Sequence, residues 1–432
     1  MILLEFISIF MLLALVRVPL PFSMGLAAMV TMVTAGINLK LLPAAGFGGV
    51  DAFAFLAIPA FIYAGDIMSQ GGVSAALLRC MEAVLQRLRG SLGAVVVASS
   101  MLFGSITGSS LATISAIGGM MIPEMVKKGY SKEYSATLVA ACGFLGILIP
   151  PSVPGVIYAI SAGVSVADVW LATVGPGLFL GVCYIVVNHF VFGRKQPRIV
   201  EPFHAGAYFR SIGRTLPSFL IALMMPLVIF AGVYGGVFTP TEAGAVSVAM
   251  GILIGWVVFP RIFKTRPDEK LLLITKRSTI FVAAVMLIVV FAQGVSEMIA
   301  YTGLPATLTK TLMEYTQSKE VFLLLVNILL LIVGMFMETN TSILLFAPIL
   351  VPLARAFGVD PIHFSAIVLL NLEIGMITPP FAVNLFTAAK ISGVSIDKLM
   401  RPLIPFLAAC LVTLGVTTYF PALSLWVVSL SH

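Results

Sequence analysis

Charge is what this sequence has least of. Only 10% of its 432 residues are Asp, Glu, Lys or Arg, against about 25% in a soluble domain. Hydrophobic residues make up 60%, and the mean hydropathy is +1.10, which excludes a water-soluble fold. Cysteine is scarce as well: Cys80, Cys142, Cys183 and Cys410 lie scattered in apolar runs with no C-x-x-C pair, which excludes a disulfide scaffold or zinc site. His189, His204, His363 and His432 form no metal motif. With no His/Asp/Glu constellation inside the apolar runs either, nothing points to a membrane-embedded enzyme. The net charge of +7 is no nucleic-acid stripe, because Lys and Arg fall in short clusters between apolar runs.

What is present is a series of apolar runs near the length of a membrane crossing, about 20 residues. Full spans are expected at 2–16, 19–35, 53–69, 134–163, 169–192, 215–233, 240–259, 279–299, 363–389 and 402–428. Runs 91–126 and 320–354 are expected to be re-entrant hairpins. The first run has its positive charge, Arg17, after it rather than before it, so it reads as a retained span and not a signal peptide. With the N-terminus outside, 21 of the 25 Lys and Arg residues fall on the cytoplasmic side. Lys40, Lys310, Lys319 and Arg355 are the exceptions, and the bias follows the positive-inside rule. Segments 193–214 and 260–278 read as basic cytoplasmic connectors, and 71–89 as an amphipathic brace at the interface.

The two halves superpose on a shift of 229 residues. Pro123 then meets Pro352, Gly129 meets Gly358, Gly146 meets Gly375, and Pro150-Pro151 meets Pro379-Pro380. Each half runs from a short apolar arm through a polar turn and a second arm to a span broken at Gly-x-x-x-Pro-Pro. The charge count opens the first hairpin inward and the second outward, so the repeats are inverted. The expected fold is an all-α polytopic membrane protein of two inverted-topology repeats. Residues 1–52 are N-terminal scaffold spans and 53–192 the first repeat (hairpin 91–126, broken helix 134–163). Residues 193–278 are connectors and scaffold spans, and 279–428 the second repeat (hairpin 320–354, broken helix 363–389).

Irregular backbone survives at membrane depth only where it lines a protein-buried or wet cavity. Four such places are expected: the tips Gly104–Ser110 and Glu338–Ser342, and the breaks at Pro150-Pro151 and Pro379-Pro380. Half-helix N-termini suit an anion, with Ser109, Ser110, Asn340, Thr341 and Asn384 as candidate substrate contacts. Half-helix C-termini offer carbonyls to a hard cation such as Na⁺. Gly104, Ser105, Thr107, Gly146, Glu338, Thr339, Gly375 and Thr378 are the candidate cation contacts. Ionisable groups within spans are functional candidates by default; Glu338 is the first of these and Glu373 the next. Asp66, Glu242 and Glu297 read as interfacial or capping residues. No Lys or Arg occurs between Arg89 and Lys127 or between Lys132 and Arg194. An anion in the first repeat must therefore be held by helix ends, hydroxyls and a bound cation.

Five stretches carry a family resemblance: FGSITGSSLATISAIGGMMIPEMVKKGY, LGILIPPSVPGVIYAISAGVS, GVYGGVFTPTEAGAVSV, GMFMETNTSILLFAPILVPLARAFGVDPIHF and NLEIGMITPPFAVNLF. The chain resembles the large membrane subunit of TRAP (tripartite ATP-independent periplasmic) transporters, the DctM type, over nearly its whole length. The resemblance implies Na⁺-coupled uptake of a small organic anion across a bacterial inner membrane, with no other cofactor. It implies a periplasmic substrate-binding protein and a small membrane subunit as partners, the latter expected as a separate chain. It also implies an elevator fold like that of the ion transporter superfamily. Many members carry Asp where this chain has Thr113, and Gly108-Ser109-Ser110-Leu111-Ala112-Thr113 is more similar to the C4-dicarboxylate branch. The alternative is a stand-alone Na⁺/dicarboxylate symporter that needs no binding protein.

Overall fold

The computed structural model describes residues 2–16, 18–85, 91–193, 205–265, 267 and 269–431. Arg17, Arg87, Arg89, Arg194, Lys195, Arg198 and Arg266 of the charge clusters lie outside the described residues, as do His204 and His432. Every regular element among the described residues is helical, as required where unpaired backbone groups would otherwise meet hydrocarbon. The chain opens with α1 (Ile2–Leu15), α2 (Leu20–Thr34), α3 (Leu41–Val50), α4 (Ala57–Gln70) and α5 (Val73–Leu85). Next come α6 (Ser91–Thr107), α7 (Ser110–Lys127), α8 (Lys132–Cys142), α9 (Leu145–Leu148), α10 (Val153–Ala162) and α11 (Val166–Val187). The middle holds α12 (Ala205–Tyr234), α13 (Pro240–Ile252), α14 (Phe259–Ile262), α15 (Leu271–Tyr301) and α16 (Leu304–Tyr315). The last group is α17 (Lys319–Phe336), α18 (Thr339–Ala356), α19 (Pro361–Met376), α20 (Val383–Ser392), α21 (Ile396–Tyr419) and α22 (Ala422–Ser431). Among the described residues eight helices are long and apolar enough to cross a membrane, and the bent run 132–162 makes a ninth. The chain is a polytopic membrane protein.

Several elements differ from the expected spans. Helices α1 and α2 are 14 and 15 residues long, shorter than a full crossing. The stretch expected to be an outer loop after Lys40 contains α3, which packs along α15. Gly46 and Gly49 make that approach possible, since a Cβ on either would collide with Val290 or Gln293. The arms α6 and α7 run to 17 and 18 residues, longer than expected, because Gly104–Thr107 continue α6. Within that turn the Ser105 hydroxyl donates to the Leu102 carbonyl at 2.7 Å, so the hydroxyl is satisfied without leaving the helix.

The two broken helices interlock with the two arm pairs. Helix α6 packs on α8 and α9, and α17 packs on α19. The distal halves cross over: α10 lies on α18, and α20 lies on α7. Hydrogen bonds stitch this crossing. Tyr158 donates to the Pro361 carbonyl at 2.8 Å, and the Arg355 guanidinium donates to the Ala162 carbonyl at 3.1 Å. Around this body, α15 packs on α2, α3 and α4, while α4 packs on α13 and α12 on α5.

Helix α5, the expected brace, buries Val73, Ala76, Leu77 and Cys80 and bridges α12 and α6. The Lys128 ammonium ties it to the base of α7, at 2.7 Å from Glu82 and 3.5 Å from Glu124. All three side chains are partly exposed, and exposed pairs contribute only about 0–1 kcal/mol. Glu82→Gln is therefore expected to move the thermal unfolding midpoint by no more than a degree or two, roughly the effect of such a pair in a chain this long. A drop of ten degrees would show the pair to be part of the core.

Candidate functional site

The first tip is the two-residue link Gly108-Ser109 between α6 and α7. Gly108 has φ +58°, a conformation that L side chains rarely adopt. A Cβ there would also sit tightly, 3.1 Å from the Pro151 carbonyl oxygen and 3.3 Å from the Ser152 Cα of the first break. Ser109 caps α7 by accepting from the Ala112 amide at 3.4 Å, and the Thr113 hydroxyl donates to the Ser109 carbonyl at 2.9 Å. Thr107 and Thr113 face each other at 3.3 Å. Thr113, where an Asp was the familiar alternative, thus fixes the shape of the tip.

The second tip is Met337-Glu338. The Glu338 carboxylate caps α18, accepting from the amides of Asn340 at 3.0 Å and Thr341 at 3.2 Å and from the Asn340 side-chain amide at 2.7 Å. A carboxylate at a helix N-terminus also meets the positive end of the helix dipole. Thr339 turns the other way and donates to Glu373 at 2.8 Å, joining the tip to α19. The second oxygen of Glu373, the Thr341 hydroxyl and the Asn340 side-chain oxygen are buried with no hydrogen-bond partner among the described residues.

The breaks are built alike. Pro150-Pro151 and Pro379-Pro380 are both cis. Proline removes the amide that would continue the helix and disfavours helical geometry at the preceding residue. Gly146 meets Gly104 backbone to backbone, and a Cβ on either would overlap the other's Cα. Gly375 meets Gly334 in the same manner. The Thr378 hydroxyl donates to the Ile374 carbonyl at 2.7 Å.

Both tips wall a cavity of about 200 Å³. Of the residues singled out by sequence, Ser109, Ser110, Glu338, Thr339, Asn340 and Thr341 line it. Glu373 lines it as well, with Val153 and Pro154 from the start of α10. Thr107 and Ser109 line an adjoining cavity of about 380 Å³. Gly104, Ser105, Gly146, Gly375, Thr378 and Asn384 line neither; all but the half-buried Thr378 are buried in the packed body. Asn384 is fully buried, and both polar atoms of its amide are unpartnered among the described residues.

Of the opposite wall only Asp66 was singled out in sequence, as an interfacial or capping residue; the structure instead sets it in a cavity wall. Phe281, Ala284, Val285 and Ile288 of α15 close the first cavity, with Ile62 of α4. In the second cavity the same wall supplies Asp66 and Arg277. Ser278 donates to Asp66, and Tyr63 pairs with Thr275 at 2.6 Å, fastening α4 to α15. Arg277 is held by Glu269 at 3.3 Å. In sequence Arg277 was one member of a loop charge cluster, and nothing marked it as facing the tips.

The family profile described as "Tripartite ATP-independent periplasmic transporter, DctM component" matches residues 7–423. The chain belongs to this family. Relatives agree along its length. It is 35% identical to the C4-dicarboxylate TRAP transporter large permease protein DctM of Pseudomonas aeruginosa, covering 93% of each chain. It is 34% identical to the isethionate TRAP transporter permease protein DctMQ of Oleidesulfovibrio alaskensis, over 96% of this chain. The match spans 65% of that relative's length. Among solved structures, the Alcanivorax borkumensis YdaH transporter superposes with a TM-score of 0.59, covering 86% of each chain at 16% identity. At that identity the likeness is one of fold.

Proposed function

We propose that this DctM-family chain is the permease through which a small organic anion, a C4-dicarboxylate or related carboxylate, enters the cell with Na⁺. The cavity between the two tips carries the reading. It is smaller than the roughly 300–1,000 Å³ of drug-sized sites, and the first turns of α7 and α18 meet in its wall. Those N-termini and the hydroxyls of Ser109, Ser110 and Thr341 suit a carboxylate, with the Asn340 amide beside them. The unpartnered oxygens around Glu338 and Glu373 suit a hard cation, as do the carbonyls at the two breaks. A cation bound there lets an anion sit next to two carboxylates, which couples one to the other.

The interlocked arm pairs and broken helices behave as one inverted-repeat body, moving as an elevator against the wall of α2, α4 and α15. Along the cavity between the tips the wall presents Ile62, Phe281, Ala284, Val285 and Ile288, and an apolar surface suits sliding because it demands no hydrogen bond in either position. The distribution of Lys and Arg between the apolar runs supports a periplasmic N-terminus and an inner-membrane location. A periplasmic binding protein delivers the substrate, and a small membrane subunit sits alongside.

Reconstitution into liposomes with both partners tests this directly. Uptake of radiolabelled succinate is expected only with an inward Na⁺ gradient and the binding protein. Uptake that persists without the binding protein would establish the stand-alone symporter instead. Uptake indifferent to Na⁺ would remove the coupling.

A further inference from the structure

Away from the tips, a groove of about 570 Å³ opens where α8 and α21 begin and α11 ends. Its floor and one side are apolar, formed by Val191, Phe192, Pro402 and Pro405. Lys398 and Arg401, one turn apart on α21, stand over it, both exposed. Among the described residues neither cation forms an ion pair or a side-chain hydrogen bond. Two carboxylates also line the groove, Glu133 and Asp397. Each lies in the first turn of its helix, where the helix N-terminus compensates its charge. The two carboxylates are thus partly offset by their own helix ends, while the two cations have no such partner.

Beyond the groove, α21 carries exposed apolar side chains. Ile404, Leu411 and Val412 follow Arg401 at spacings of three, ten and eleven residues, a single stripe on α21. All three are exposed, as are Val182 and Val186 on the neighbouring α11 and Phe190 just beyond its end. Cationic heads at one end and an exposed apolar stripe running from them into the bilayer match one ligand class. A soluble anion would use only the first feature, whereas a lipid uses both. We propose that this groove is a binding site for an anionic phospholipid. Lys398 and Arg401 hold its phosphate, and its acyl chains lie along α11 and α21. Basic pockets between membrane helices recognise lipid headgroups by this combination. The site is independent of the substrate cavity and of the transport reading.

Native mass spectrometry of the purified full-length chain tests it. Delipidated protein is titrated with phosphatidylglycerol, with phosphatidylcholine of identical acyl chains, or with inorganic phosphate. Phosphatidylglycerol is expected to be retained preferentially, and Lys398→Gln/Arg401→Gln to reduce that retention roughly tenfold or more, given the attraction of each basic residue. Glu133→Gln/Asp397→Asn is expected to shift retention the other way, which keeps the test decisive if the first variant folds poorly. Equal retention of both lipids, or a cation-free variant that still prefers phosphatidylglycerol, would overturn the proposal. Displacement of the lipid by millimolar inorganic phosphate would also overturn it, by showing the site to be a phosphate site.

Discussion

Replacing Gly146 by alanine is expected to destabilise the folded protein by about 3 kcal/mol or more, at the upper end of overpacking costs. An added Cβ would overlap the Gly104 Cα. Overpacking is usually relieved when a flexible side chain swings aside, but here the neighbour is backbone in a buried helix. Relief would have to move α6 away from α9 and with it the first tip, whose Gly108 is pressed against Pro151 and Ser152. Gly375→Ala is expected to do the same in the other half, where the added Cβ would strike Gly334. Gly119→Ala, at an exposed position of α7, is the control, because nothing lies within 4 Å of a Cβ there. Removing a helical glycine there is expected to stabilise by roughly 0.5–1 kcal/mol. Thermal unfolding of the three variants in detergent separates the outcomes. If Gly146→Ala and Gly119→Ala melt alike, the close contact does not hold in the protein.

Those glycines also show how far a membrane sequence can be read. Gly-x-x-x-Pro-Pro was legible as a break because proline removes a backbone donor wherever it stands. It could not tell whether Gly146 and Gly375 face a ligand or another backbone, since both uses select the smallest residue. The tip residues of the cavity were legible because polar side chains in apolar runs are costly and so mark a site. Thr339, Asn340 and Thr341 met that test, and Glu338 did so most plainly. Residues behind the tips passed the same test for another reason. Ser105 and Thr378 return their hydroxyl protons to their own helix, an economy invisible in sequence. The α15 wall was illegible because a leucine or valine facing lipid cannot be distinguished from one facing a cavity. Helices α3 and α16 were missed because they are only 10 and 12 residues long. Gly and Pro inside α3 broke its period further.

Glu338→Gln is expected to leave the fold in place while removing most Na⁺-driven uptake at ordinary Na⁺ levels. The side chain serves two ends. As a cap it accepts from the Asn340 and Thr341 amides through one oxygen and from the Asn340 side chain through the other. A glutamine oxygen can still receive the two backbone amides, so the helix start is retained and the loss stays within about 1 kcal/mol. What glutamine lacks is the negative charge, in a cavity whose other carboxylate, Glu373, keeps one oxygen unpartnered. If that charge helps to hold the cation, the Na⁺ concentration for half-maximal uptake should rise at least about tenfold, the equivalent of roughly 1.4 kcal/mol. Glu338→Ala removes cap and charge together, so it should also melt earlier by about 0.5–2 kcal/mol of stability. The pair of variants divides the roles. A Glu338→Gln protein with unchanged Na⁺ dependence, beside an unstable Glu338→Ala protein, would make Glu338 a helix cap and nothing more. The cation would then have to be sought at Glu373 and the carbonyls of the breaks.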